Sequence, residues 1–333
     1  VLGLKGEMDS VLPGWNWDLS LQMSDSDAET EDDLILDDAL RYGFFRTASC
    51  VGETTGISGR NCVDIQWLDP DFLAGDLGQD VEDFLFATDT AATRYKQWST
   101  EGFMTGDIFE MPAGSAALAV GFHYREEEIE DIPGPIIRAG NGWQFGTGGI
   151  TRGDSDTSAI FAEIDIPLLA NRPGIEYLDF NASVRYTDVS ASNGLISYDA
   201  DDTTYKVGLN WAITDNFRAR TTFGTSFRTP ALFELFLSNE SSFLSARAAD
   251  PCINWGTGVA NGSISQRVAD NCAADGLPAD HVASVGPEVL TGGGADVLSP
   301  ETSEAFTFGM VWQPTFADMS VSVDYFDTVS YTH

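Results

Sequence analysis

Basic residues are scarce in this chain: 17 Lys and Arg stand against 52 Asp and Glu in 333 residues, a net charge of −35. A surface of that sign repels nucleic acid and anionic headgroups, so neither is expected as the ligand. No run of 18 apolar residues occurs, which excludes a transmembrane helix. There are only three histidines, His123, His281 and His333, and the four cysteines form no CxxC pair. A zinc site therefore lacks its usual donors, and no metal or other cofactor is expected. With neither a nucleophile elbow nor an HExxH sequence, no catalytic residue is assigned and the chain does not read as an enzyme.

What the chain has in quantity is alternation. Leu178, Phe180, Ala182, Val184 and Tyr186 share one parity, while Asp179, Asn181, Ser183, Arg185 and Thr187 share the other. The pattern returns with Tyr205, Val207, Leu209 and Trp211 against Lys206, Gly208 and Asn210, then with Phe217, Ala219, Thr221 and Phe223 against Arg218, Arg220, Thr222 and Gly224. Period two is the period of a strand whose faces meet different solvents. A face this regularly charged meets water, so the apolar face must meet lipid. Trp15 to Met23, Leu118 to Tyr124, Phe306 to Trp312 and Val321 to Tyr325 repeat the pattern. In all there are about ten such segments, several near the ~10 residues that cross a bilayer at a tilt.

The joints between segments alternate in length. Short ones, rich in Pro, Gly, Asn or Asp, fall at Asp9 to Gly14, Glu110 to Gly114, Pro167 to Gly174, Thr214 to Asn216 and Gln313 to Asp318. Long ones are expected at about 25–93, 126–155, 187–203 and 229–301. Short turns on one side and long loops on the other describe an antiparallel up-and-down transmembrane β-barrel. Trp211 and Phe217 beside a short turn, and Tyr186 and Tyr205 beside a long loop, read as two interfacial aromatic belts.

Much of the charge falls in the expected loops, with eight carboxylates between 25 and 38 and eight more between 64 and 89, and no Lys or Arg in either stretch. Asp25, Asp27, Glu29, Glu31, Asp32 and Asp33 suggest calcium, but they lack EF-hand spacing and its central glycine. Cysteines fall as local pairs, Cys50 with Cys62 and Cys252 with Cys272. Nearest-neighbour disulfides in an oxidising compartment are expected.

Residues 217–236 read FRARTTFGTSFRTPALFELF. This resembles the late-barrel signature of TonB-dependent outer-membrane receptors, in which an F-R-x-P step leads to a short E-L-F segment at the barrel mouth. The matching positions here are Phe227, Arg228, Pro230, Glu234, Leu235 and Phe236. Asp250, Pro251 and Cys252, then Pro300, Glu301 and Ser303, then SVDYFD at 322–327 extend the likeness, as do TGDIFEMPAG at 105–114 and GFHYREE at 121–127.

The resemblance implies a 22-stranded barrel in the bacterial outer membrane, with its lumen closed by a plug domain that TonB pulls to drive active uptake of a scarce nutrient. About ten strands of that wall are expected here, with the N-terminal plug and C-terminal strands absent. A passive pore and a secreted acidic calcium-dependent binding protein are the alternatives. Charge in the loops argues for a neutral or cationic nutrient. Trp143, Phe145, Phe243 and Trp255 are candidate ligand-contacting loop aromatics.

Overall fold

The computed structural model describes residues 1–8, 10–282 and 288–331; Asp9 of the first expected turn and His333 lie outside the described residues. In chain order the elements are β1 (Leu2–Glu7), β2 (Asn16–Ile35), α1 (Asp37–Gly43), α2 (Pro70–Leu73), α3 (Gln79–Leu85), β3 (Phe86–Met111), β4 (Gly114–Ile132) and α4 (Pro135–Arg138). Next come β5 (Thr151–Arg172), β6 (Ile175–Ser192), β7 (Ser197–Thr214) and β8 (Phe217–Arg228). The last are α5 (Leu232–Phe236), β9 (Glu240–Phe243), α6 (Ala246–Ala249), α7 (Trp255–Ala260), α8 (Gln266–Ala274), β10 (Glu288–Thr291), β11 (Glu301–Trp312) and β12 (Val321–Tyr331).

Ten strands form one open antiparallel sheet in the order β1-β2-β3-β4-β5-β6-β7-β8-β11-β12, and β9 pairs with β10 outside it. Each wall strand hydrogen-bonds its sequence neighbour, as a meander requires. Register follows the parity of the sequence. Leu209 stands opposite Phe180 and Thr221, whereas Asn210 stands opposite Asp179 and Arg220. Apolar rings and branched chains therefore align on one face from strand to strand. On that face Phe122, Ile160, Val184, Tyr186, Tyr205, Trp211, Phe306 and Phe308 are all exposed, a continuous apolar surface that lipid would cover.

Three of the four expected long loops are shorter than their sequence boundaries. The first spans 36–85 rather than 25–93, the second 133–150 rather than 126–155, and the third, expected at 187–203, is a four-residue reversal at 193–196 between β6 and β7. Gly194 makes that turn possible with φ +82°. The fourth spans 229–300. The physical reason is the height of the strands. At about 3.3 Å per residue, the 26 residues of β3 far exceed the ~9–11 needed to cross a bilayer. Beyond the lipid both faces meet water, so apolar alternation stops while the hydrogen-bond ladder continues.

Carboxylates at 25–33 thus belong to β2 and not to a loop. Asp25, Asp27 and Glu29 keep the outward parity of Leu21 and Met23. Across the ladder Arg94 meets Asp27 at 2.7 Å, Lys96 meets Glu128 at 3.5 Å and Arg152 meets Glu130 at 2.6 Å. All are solvent-exposed pairs, worth about 0–1 kcal/mol each. Tyr186 and Tyr205 accordingly mark where the lipid ends, not where the strands do.

Loop 36–85 has its own small core of Leu36, Ala39, Ile65, Phe84 and Leu85 around the Cys50–Cys62 disulfide. A second disulfide, Cys252–Cys272, joins the segment before α7 to α8. Both pairings are the nearest-neighbour ones expected. Non-reducing peptide mapping should recover these two linkages and no cross-loop linkage. Reduction should then free the first loop for proteolysis, because a bridge over a segment this short restrains it by roughly 3 kcal/mol.

Candidate functional site

The F-R-x-P step ends β8 and turns the chain over the inward face. Pro230 has no amide hydrogen to give to a ladder, so pairing stops there. α5 then packs against the inner wall: Leu232, Leu235 and Phe236 are buried with Ala191, Tyr198 and Ala295. Phe236 lies directly on Gly153 of β5, where a Cβ would come 2.4 Å from its ring. Glycine at 153 is thus what admits the helix. The returning chain clamps α5 from the other side through Gly294 N–H to the Glu234 carbonyl (3.0 Å) and Ala295 N–H to the Leu235 carbonyl (3.2 Å).

Arg228 ties this shelf to the wall. One terminal nitrogen donates to Glu234 at 3.0 Å and the other reaches Glu301, at the start of β11, at 3.3 Å. Glu234 also accepts the Ala231 N–H at 2.7 Å, satisfying an orphan donor at the helix start. That backbone donor, opposed by partial burial and reinforced by Arg228, holds Glu234 below the ordinary carboxylate range. A carboxylate whose folded pKa is lowered contributes stability above its unfolded pKa and loses it as pH falls through the folded value. Shelf docking should therefore be unaffected at neutral pH and loosen below about pH 4, read as faster proteolysis of 229–300.

Loops are joined to one another as well as to the wall. Asn141 is fully buried between the first two: its carbonyl accepts the Asp37 N–H, its side-chain oxygen the Asp38 N–H, and its amide donates to Asp38 at 2.9 Å. Thr147 and Ser241 join the second to the fourth by reciprocal bonds of 2.7 and 2.9 Å. Gly146 touches the Ser241 carbonyl so closely that a Cβ would stand 1.8 Å from it.

Beneath the shelf a groove of about 420 Å³ opens on the inward face. It is lined by His123 and Arg125 of β4, Thr157 of β5, Arg185, Thr187 and Val189 of β6, Thr204 of β7 and residues 225–229. Arg228 is thus at once the tether of α5 and part of the groove.

The sequence matches the family model for TonB dependent receptor-like β-barrels over residues 9–329. The chain belongs to the TonB-dependent receptor β-barrel family. Among solved structures it is similar in fold to the ferric-catecholate import receptor Fiu of E. coli K12, with 12% identity, a TM-score of 0.48, and coverage of 98% of this chain and 39% of that one. It is also similar to a mutant of the ferric enterobactin receptor PfeA of Pseudomonas aeruginosa, with 12% identity, a TM-score of 0.31, and coverage of 98% and 50%. The chain thus spans half or less of the length of either receptor. No curated protein matches it. Members of this family lie in the bacterial outer membrane, and the family is one of receptors and transporters, not of enzymes.

Within this TonB-dependent receptor wall the residues singled out from sequence separate. Arg228, Pro230, Glu234, Leu235 and Phe236 build the shelf and its tether, while Phe227 stays in the β8 ladder opposite Thr302 on the outward parity; among the described residues the four loop aromatics make no ring contact with one another. Trp255 is half-buried and donates its indole N–H to the Leu277 carbonyl, a packing role. Phe145 and Phe243 are 55% and 58% exposed, and Trp143 is at the margin of exposure.

Sequence reasoning passed over a larger aromatic cluster on the first loop, where Trp67 contacts Phe44 at 5.5 Å, Phe45 at 6.0 Å and Phe72 at 5.3 Å. Adjacent aromatics at 44 and 45 were its one linear trace. The groove was passed over too, because its cations come from strands far apart in the chain.

Proposed function

We propose that this chain is part of the wall of an outer-membrane receptor that captures a scarce nutrient at the cell surface and imports it by TonB-energised transport, with TonB acting through a plug domain. The observation that carries the reading is the built mouth. Three loops are bonded into one roof, and α5 is held over the inward face by Arg228. A helix packed on the inner wall and bonded to the loops narrows the mouth, which serves capture of a ligand more than free diffusion. A receptor gains from it, since a preformed vestibule lowers the ordering cost of binding.

Loop charge bears less on the cargo than the count of carboxylates implies. Carboxylates at 25, 27 and 29 point outward from the wall, and the groove beneath the shelf is lined by cations and no carboxylate. Negative charge is thus no bar to entry at the inner face. Phe145 and Phe243 remain candidate contacts for a flat or apolar part of the cargo.

Uptake of a panel of labelled nutrients by cells carrying the receptor tests this. Uptake of at least one should require TonB and stop when the inner membrane is de-energised. Uptake that persists without TonB identifies a passive pore and overturns the reading.

A further inference from the structure

We propose that the groove under α5 is a subsite for an oxyanionic group of the cargo, a carboxylate or phosphate, with Arg185 as its anchor. The inference deepens the receptor reading and rests on it. In a chain of net charge −35, the residues lining this one groove include three arginines and a histidine and no Asp or Glu. The outcome is specific to the inner face, since on the outer face cations alternate with a larger number of carboxylates.

The three arginines are not equivalent. Arg228 is committed to Glu234 and Glu301. Arg125 is shared with Glu127 at 3.4 Å. Arg185 has no carboxylate partner among the described residues. Its Nε donates to the Thr187 hydroxyl at 3.2 Å, and its guanidinium lies over the Phe161 ring at 5.7 Å from the centroid. Those two contacts fix the plane of the fork and leave both terminal nitrogens to a ligand. A planar fork held in place is the geometry that takes a carboxylate or phosphate by two parallel hydrogen bonds.

Two further polar atoms lie behind the groove lining. The Nδ1 of His123 and the Nε of Arg125 are buried in the groove wall and have no hydrogen-bond partner. Closed off from water, they are not themselves ligand contacts, and recognition in the groove rests on the Arg185 fork. Thr157, Thr187, Thr204 and Ser226 supply neutral hydroxyls around it.

The test uses the whole receptor in detergent, with citrate and inorganic phosphate as probes, titrated calorimetrically against the parent protein and Arg185→Gln, Arg185→Lys and Arg220→Gln. Arg220 also faces inward but is already paired with Asp324 at 2.8 Å. At least one probe should bind the parent, more weakly as salt is raised. Arg185→Gln should weaken that binding roughly tenfold or more, the usual consequence of losing a charged hydrogen bond. Arg185→Lys should keep part of the affinity, and Arg220→Gln should match the parent. Failure of both probes to bind the parent, or equal binding by Arg185→Gln, overturns the subsite. A subsite that fails while uptake still requires TonB leaves the receptor reading standing. Uptake independent of TonB sinks that reading whatever the probes do.

Discussion

Leu209→Arg is expected to destabilise the barrel by roughly 2 to 4 kcal/mol, the cost of placing a cation on the lipid face near the bilayer midplane. Leu209 lies between the upper aromatic Tyr205 and the lower aromatic Trp211, with Phe180 and Thr221 beside it on the same outward face. The matched control is Ser183→Glu, which faces inward directly across from Lys206 and should change stability by no more than about 0.5 kcal/mol. Asn210 is a poorer control than its parity suggests, because its amide donates to the buried Asp179 at 2.9 Å. Urea unfolding of the receptor from lipid vesicles measures both substitutions, and equal tolerance would mean that the two faces do not differ in solvent.

Phe236→Ala should release the shelf. Phe236 is 4% exposed and its ring fills the space above Gly153. Truncating a buried phenylalanine costs about 3 to 5 kcal/mol, more than a five-residue helix can recover from its own hydrogen bonds. The loss is local: the ten-stranded wall should keep its strand signal by circular dichroism, while 229–300 becomes cleavable by protease. Gly153→Val should give the same phenotype from the opposite side of the contact, by expelling the ring instead of removing it. Intact loops in both variants would show that Phe236 is not what holds α5 down.

How much of this the sequence revealed depended on which solvent each face meets. From Tyr177 to Tyr186 and from Tyr205 to Phe223 one face meets lipid and the other water, and period two there marked the strands and the facing of each residue, Leu209 and Arg185 included. Above the tyrosines both faces meet water. Asp25 to Asp33 and Asp199 to Asp202 then look like loop, although each continues a ladder, and the expected loop 187–203 shrank to a turn. Local cysteine spacing sufficed for the disulfides because each bridge closes a short segment. The F-R-x-P to E-L-F run located the shelf, since tether and helix are contiguous in the chain. Nothing in sequence could place His123, Arg125, Arg185 and Arg228 around one groove, since their proximity is set by strand register across β4 to β8 and not by spacing. Inward parity, known for each, was the only usable signal.

The facing of the wall is the claim on which the rest depends, and accessibility along β7 tests it most directly. Spin labels placed singly from Tyr205 to Trp211 in the receptor in lipid vesicles report collisions with oxygen, which concentrates in lipid, and with a water-soluble nickel chelate. The structure predicts alternation: high oxygen and low nickel access at Tyr205, Val207, Leu209 and Trp211, with oxygen access lower at Lys206, Gly208 and Asn210. An absence of alternation, or nickel access at Val207 and Leu209, would contradict a membrane-spanning strand and the receptor wall built from it.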